Sequence, residues 1–230
     1  MNTQPLSQPH AEFQNATRCQ ESLLAGLEKR CLLWLAHRMP AWVNSDHLTL
    51  LGFAAMFLAG VCYALAQWWP LSLLLVNLWL AVNWFGDSLD GTLARVRNRQ
   101  RPRYGFYVDH IVDSFSALFL VCGLAFSGYM NGWVALALLV SFYLLSINAY
   151  LATYTLGTFQ LSFWKLSPTE MRILLAVGNG VAWVHPTVHV FGLPWRFFDV
   201  GGIVAVASMA VVLLISVMRN TLALYRAEKI

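Results

Sequence analysis

Asp87-Ser-Leu-Asp90-Gly91-Thr-Leu-Ala94-Arg95 closes one long apolar run of this chain, and Gly105-Phe-Tyr-Val-Asp109-His-Ile-Val-Asp113 opens the next. The polar turn between them decides the fold. Two apolar segments joined by a short Arg-rich loop read as antiparallel membrane helices whose acidic ends adjoin. The chain holds only eleven Asp and Glu in all, and four of them lie in this stretch. Carboxylates at a membrane segment are costly, so they mark a functional site by default.

The rest of the composition agrees with a membrane setting. Of 230 residues, 58% are hydrophobic and 11% charged, and the mean hydropathy is +0.57. A soluble domain carries about 25% charged residues. An integral membrane protein is therefore expected. Net charge +4 and a pI near 9.0 do not call for nucleic acid, because the basic residues fall between apolar spans. Met1 to Thr17 is polar with no apolar core, so no cleaved signal peptide is expected, and residues 1–18 read as disordered. Cys19, Cys31, Cys62 and Cys122 make no CxxC pair and no metal spacing, and are read as small apolar fillers.

Over 19–40, Leu23, Leu24, Leu27, Cys31, Trp34 and Leu35 recur at helical spacing, with Glu21, Glu28 and Lys29 opposite. Arg30 and Arg38 fall nearer the stripe and would snorkel. This pattern predicts an amphipathic helix at the membrane surface, ended by Pro40. A bilayer span needs roughly 20 apolar residues. Six candidates follow, over about 48–67, 71–94, 107–129, 132–154, 169–187 and 199–219. The fold expected is all-α, six transmembrane helices plus an N-terminal interfacial helix, with residues 41–230 forming one core. With both ends on one side, every Lys and Arg except Arg196 falls on that side. The positive-inside rule makes it the cytoplasm. Trp68, Trp69, Trp133, Trp183 and Trp195 then sit near the outer ends. The same topology puts the four aspartates at the cytoplasmic face. Arg97, Arg99, Arg101 and Arg103 read as topology signals, with attraction to anionic lipid as a further role.

At about 100° per residue, Asp87 and Asp90 point about 60° apart on one helix, and Asp109 and Asp113 about 40° apart on the next. Facing stripes would converge four carboxylates on one pocket. Such an oxygen-only set suits a hard divalent cation, Mg²⁺ or Mn²⁺. Four carboxylates can hold two ions, a recurring device of phosphoryl chemistry. Gly91, Ala94 and Gly105 are small enough to let a ligand approach the backbone, although helix packing would use small residues equally. Arg95 at the helix end could contact phosphate. His185 and His189 are separated by Pro186 and read as no metal site. Asn83, one turn before Asp87, is a possible pocket residue.

These residues in this order resemble the signature of the CDP-alcohol phosphotransferase family, D-x2-D-G-x2-A-R, a spacer, then G-x3-D-x3-D. All eight fixed positions are present, as Asp87, Asp90, Gly91, Ala94, Arg95, Gly105, Asp109 and Asp113, with a nine-residue spacer where eight is usual. The resemblance covers roughly 45–220 and implies an enzyme of phospholipid synthesis. Such an enzyme cleaves a CDP-linked donor, releases CMP and joins the phospho-group to an alcohol. By that likeness the four aspartates hold two Mg²⁺ or Mn²⁺ ions. Asp87, Gly91, Ala94, Arg95 and Gly105 line the nucleotide and phosphate region, Asp113 serves as base, and the protein is a homodimer.

Asp109-His110-x-x-Asp113-Ser114, the run Thr153 to Thr158, and Pro168-Thr169-Glu170 also look like segments of choline- and ethanolaminephosphotransferases. That likeness implies His110 and Glu170 as activators of a lipid hydroxyl. The plainer alternatives are a helix-end histidine and a helix N-terminal carboxylate. Two donors stay open: a CDP-amino-alcohol passing its phospho-group to diacylglycerol, or CDP-diacylglycerol reacting with a small alcohol. A cation transporter is the competing class, but transporter sites sit near the bilayer midplane.

Overall fold

A computed structural model describes residues 25–157 and 167–228. The segment expected to be disordered, the first part of the amphipathic helix, Cys19 and Thr158 lie outside the described residues. Seven helices occur in the order α1 (Ala25–Arg38), α2 (Ser45–Leu65), α3 (Ser72–Val96), α4 (Pro102–Phe126), α5 (Gly132–Leu156), α6 (Pro168–Val184) and α7 (Phe197–Ala227). A short hairpin, β1 (Thr187–Val190) paired antiparallel to β2 (Leu193–Arg196), separates the last two helices.

Local chemistry sets the helix ends. Asn44 caps α2 in a capping box with His47. The chain leaves α3 through a left-handed Asn98 (φ 53°), with Asn98 N–H bonding Arg95 O and Arg99 N–H bonding Ala94 O. That is a Schellman-type stop with asparagine in the glycine position. Pro102 starts α4. Asn131 caps α5 by accepting from Trp133 N at 2.9 Å, and Gly157 (φ 66°) ends it.

Helix α2 is the spine, packed on α3 and α4. Close approach is made possible by glycine. A Cβ on Gly86 of α3 would lie 2.6 Å from Leu48 O of α2. A Cβ on Gly60 of α2 would run into the Phe119 carbonyl of α4, and one on Gly123 into Gly60. These contacts are the small-residue interfaces that pack helices where no aqueous hydrophobic effect drives them together. Around them Met56, Ala59, Tyr63, Leu73, Val76, Leu80, Leu120 and Leu124 form the main core, joined by Ala182 of α6 and Phe198 of α7. Inside it Tyr63 donates to Asn179 Oδ1 (2.7 Å), and Asn179 Nδ2 donates to Asn77 Oδ1 (2.7 Å), binding α2, α3 and α6. The outer faces are apolar and exposed, as on α7 at Val204, Val211, Leu214 and Met218. In water such surface would be a liability; in lipid it is the solvent-facing side.

The membrane character is borne out, while the count of spans is coarser than six. Among the described residues four helices, α2, α4, α5 and α7, are long and apolar enough to cross a bilayer. Helix α6 has 17 residues. Helix α3 has 25 but carries Asn77, Asn83, Asp87, Asp90 and Arg95. Of the helices that correspond to the six expected spans, α3 and α6 fall short, and their polar residues serve the site described below.

The all-α expectation holds as a fold class, with one addition: Phe191 (φ 52°) and Gly192 (φ 78°) form a two-residue turn that closes the short β-hairpin. Both turn residues take positive φ, which suits the twist of paired strands. Helix α1 leaves most of the expected apolar stripe on its outer face and departs from the expectation at Glu28. Leu32 and Ala36 are its buried positions, packed with Val43, Leu48, Leu89 and Leu93, while Leu27, Cys31 and Trp34 stay exposed. Glu28, placed on the solvent side from sequence, is half-buried against α3 and α6. Its Oε1 accepts from Trp84 Nε1 (2.8 Å), Thr169 Oγ1 (2.6 Å) and Ser88 Oγ (3.4 Å).

Candidate active site

The candidate site is carried by the last turns of α3 and the first turns of α4, two helices that both pack on α2. Asp87, Asp90 and Asp109 are half-buried and Asp113 is exposed. A short loop, residues 97–101, joins the two helices and keeps the two acidic pairs at one end of the fold.

Neighbouring helices hold the acids in place. Helix α2 braces Asp90 twice, through Thr49 Oγ1 to Oδ2 (2.5 Å) and Ser45 Oγ to the backbone carbonyl (2.9 Å). The other carboxylate oxygen of Asp90 accepts from Gly91 N–H. Helix α6 reaches Asp87 through Arg172, whose Nη2 is 2.5 Å from Asp87 Oδ2. Arg172 Nε donates to Asn83 Oδ1 (2.8 Å), and Asn83 Nδ2 donates to Gly52 O of α2 (3.0 Å). A hydrogen-bonded chain thus runs from α2 through α3 to α6 and back to Asp87.

The small residues divide into two kinds. A Cβ on Gly91 would meet only the end of Arg95, 3.8 Å away, and a Cβ on Gly105 would meet nothing within 4 Å. Neither glycine packs a helix, in contrast to Gly60, Gly86 and Gly123. The faces of Gly91 and Gly105 open on free space, which is what a ligand against backbone needs. Arg95 is exposed and donates to Thr92 Oγ1 (3.1 Å), one turn back. Ala94 lines a cavity of about 390 Å³ with Arg97, Arg99 and Arg101 at the end of α3.

Two of these arginines do more than signal topology. Arg97 donates to the carbonyls of Val43, Met39 (3.0 Å) and Pro40 (2.9 Å), and Arg101 pairs with Asp46. They tie the α3–α4 loop to the start of α2.

His110 and Glu170 are held in structural settings. The His110 ring is buried, stacked on Phe106 with centroids 4.2 Å apart and 5.0 Å from Tyr150. Its Nδ1 is 3.7 Å from Asp109 Oδ2. Glu170 closes a capping box at the start of α6, where Oε2 accepts from Ser167 N (2.8 Å) and from the Ser167 hydroxyl. The plainer expectation for Glu170, an N-terminal helix partner, is what the structure contains.

Sequence reasoning left Arg172, Thr49, Asn83 and Glu28 without a role at the acids, except for Asn83 as a possible pocket residue. Their partners lie 31 to 141 positions away in sequence, from Asn83 and Gly52 at 31 to Thr169 and Glu28 at 141. The signal available was the rarity of charge: an arginine in the first turn of an apolar segment is costly unless paired.

Among the described residues, no group of three or more His, Cys, Asp or Glu side chains stands together as a formed metal site. The donor set nonetheless fits hard divalent cations, since it consists of carboxylate oxygens beside open backbone. Arg172 offsets a single one of the four negative charges.

Comparison with known proteins bears on the same stretch. Residues 42–218 match the family model for CDP-alcohol phosphatidyltransferase. Cholinephosphotransferase 1 of Gallus gallus is 30% identical over 185 residues, covering 74% of this chain and 54% of the relative. Archaetidylinositol phosphate synthase of Pyrococcus horikoshii is 29% identical over 106 residues, covering 46% of this chain and 53% of the relative. The chain thus spans about half the length of the curated relatives it matches. Among solved structures, the phosphatidylinositol phosphate synthase of Mycobacterium tuberculosis with CDP-DAG bound superposes with a TM-score of 0.63 at 21% identity. That match covers 83% of this chain and 94% of that one, and it speaks to fold. None of these relatives is a transporter.

Proposed function

This chain belongs to the CDP-alcohol phosphatidyltransferase family, and we propose from that premise that it is a membrane transferase of phospholipid synthesis. It cleaves the pyrophosphate of a CDP-linked donor, releases CMP and passes the distal phospho-group to an alcohol. The observation that carries this reading is the acidic end of α3, where Asp90 is braced by Thr49 and Gly91 N–H and Asp87 by Arg172, beside the open faces of Gly91 and Gly105.

In this reading the four aspartates hold two divalent ions, Mg²⁺ or Mn²⁺. When bound, such ions neutralise and orient the pyrophosphate oxygens of the donor. The protein does the rest. Thr49 and Gly91 N–H fix the two oxygens of Asp90, and Arg172 fixes Asp87, so the acids enter the reaction in set orientations. Gly91 and Gly105 let the nucleotide end approach the backbone, while Ala94 and Arg95 flank the phosphates. The acceptor oxygen attacks the phosphorus distal to cytidine. The P–O bond to CMP breaks, and the hydroxyl proton passes to a base. Asp113 is assigned as that base because its side chain is exposed and can meet an incoming hydroxyl. His110 is buried beneath the Phe106 stack and Glu170 is engaged with Ser167, so they rank second.

The donor is a CDP-amino-alcohol and the acceptor diacylglycerol, a reading supported by the likeness to cholinephosphotransferases over 74% of the chain. The second reading, CDP-diacylglycerol with a small alcohol acceptor, is favoured by the basic cavity at Arg97, Arg99 and Arg101, which suits a water-soluble anionic partner. The remaining architecture follows the family: six spans that include α3 and α6, both termini and the site at the cytoplasmic side, and a homodimer.

The test is a donor panel. The protein in lipid with Mg²⁺ receives CDP-choline, CDP-ethanolamine or CDP-diacylglycerol, with diacylglycerol or small alcohols as acceptors. CMP release from CDP-choline or CDP-ethanolamine in the presence of diacylglycerol is expected. CMP from CDP-diacylglycerol alone moves the assignment to the second reading, and none from any donor overturns the enzyme.

A further inference from the structure

Arg172 occupies an unusual position for a cation in this molecule. It enters from α6, while the acids belong to α3 and α4. Its side chain is 15% exposed and that of Asp87 25%, so the pair is largely withdrawn from water. Nη2 binds Asp87 Oδ2 at 2.5 Å, and Nε binds Asn83 Oδ1 at 2.8 Å. Asn83 is itself fixed to Gly52 O, so the guanidinium is anchored to two helices besides its own. Nη1 is buried and has no hydrogen-bond acceptor in the structure. A bracket that served packing alone would be expected to satisfy all its buried donors.

We propose that Arg172 is the resident counter-ion of the carboxylate site: it holds Asp87 in place when no divalent cation is bound and sets how tightly the site takes one. The inference rests on the metal-holding role given above to the four aspartates. The physics is direct. A fixed positive charge beside a metal ligand repels an incoming dication, and in a half-buried site that repulsion is poorly screened. Removing the charge while keeping a hydrogen-bonding group should therefore tighten cation binding. The same removal leaves the empty cluster with more uncompensated negative charge, so the metal-free protein loses stability. Arg172 is in this account a positioning residue.

The experiment is a Mn²⁺ titration of the full chain in lipid nanodiscs, read by loss of the free-Mn²⁺ paramagnetic signal. Thermal unfolding in chelator and in saturating Mn²⁺ runs alongside. Arg172→Gln is expected to bind Mn²⁺ at least about tenfold more tightly than wild type, and Arg172→Lys, which keeps the charge, within about threefold. Arg172→Gln should also melt lower than wild type in chelator, with most of the gap closed by Mn²⁺. If the Gln variant does not fold, Arg172→Met carries the same expectations. Mn²⁺ binding by the neutral variants that is equal to or weaker than wild type overturns the counter-ion role while leaving the metal site intact. Wild-type protein that binds no Mn²⁺ overturns the metal-holding role itself, and this inference with it.

Discussion

Single residues carry most of the functional weight, and the glycines show how to separate role from packing. Gly91 faces open space and Gly86 faces the Leu48 carbonyl at 2.6 Å from a built Cβ. Gly91→Val is expected to melt like wild type, measured by fluorescence unfolding in nanodiscs, yet to lose CMP release because the added carbons occupy the donor's approach. Gly86→Val should do the reverse at first sight, lowering stability by about 1–3 kcal/mol or more through overpacking against α2. Equal melting losses in the two variants would remove the distinction drawn between them. His110→Ala is a third residue test. With Asp113 as base, turnover should fall only by the modest amount that loss of the Phe106–Tyr150 packing causes. A loss of two or more orders of magnitude in kcat with unchanged melting would transfer the proton to His110.

At the scale of elements, α6 and α1 are the least obvious parts of the site. The start of α6 brings Arg172 to Asp87 and is fixed by the Ser167–Glu170 capping box. Ser167→Ala is expected to cost about 1 kcal/mol in unfolding free energy and to raise the protease sensitivity of this helix end. Helix α1 is latched through Glu28 to Trp84 and Thr169, so Glu28→Ala should loosen α1 and α6 together. Faster hydrogen exchange at both Leu32 and Met171 would report it, and exchange unchanged at Met171 would refute the latch.

Such cross-helix ties explain what could and could not be read from the sequence. The apolar runs of α2 to α7 and the spacing of Asp87, Asp90, Asp109 and Asp113 are local patterns, and a local pattern is visible in a linear string. Glu28 and Arg172 find their partners only after the helices pack, 56 and 85 positions away. The β-hairpin escaped because a phenylalanine stands where a positive φ is needed, and turn chemistry gives little warning of that.

The whole molecule joins an apolar exterior to a polar end. Among the described residues four helices are long and apolar enough to cross a bilayer, while α3 and α6 trade apolarity for Asn77, Asn83, Asp87, Asp90 and Arg172. The division suits the proposed transfer from a water-soluble donor to an acceptor dissolved in lipid, which would need a site at the boundary. The proposed topology predicts that a cysteine placed at Arg99 is labelled by an impermeant maleimide from the cytoplasmic side. Labelling from the opposite side would invert the orientation. The proposed role of the four aspartates in CMP-releasing transfer is best tested at Asp90, which is held by Thr49 and Gly91. Wild type and Asp90→Asn are compared in lipid for CMP release with and without Mg²⁺, with melting curves to verify folding. Wild type is expected to release CMP only with Mg²⁺ and a folded Asp90→Asn protein to release none; release by that variant at a comparable rate would remove the aspartates from the reaction.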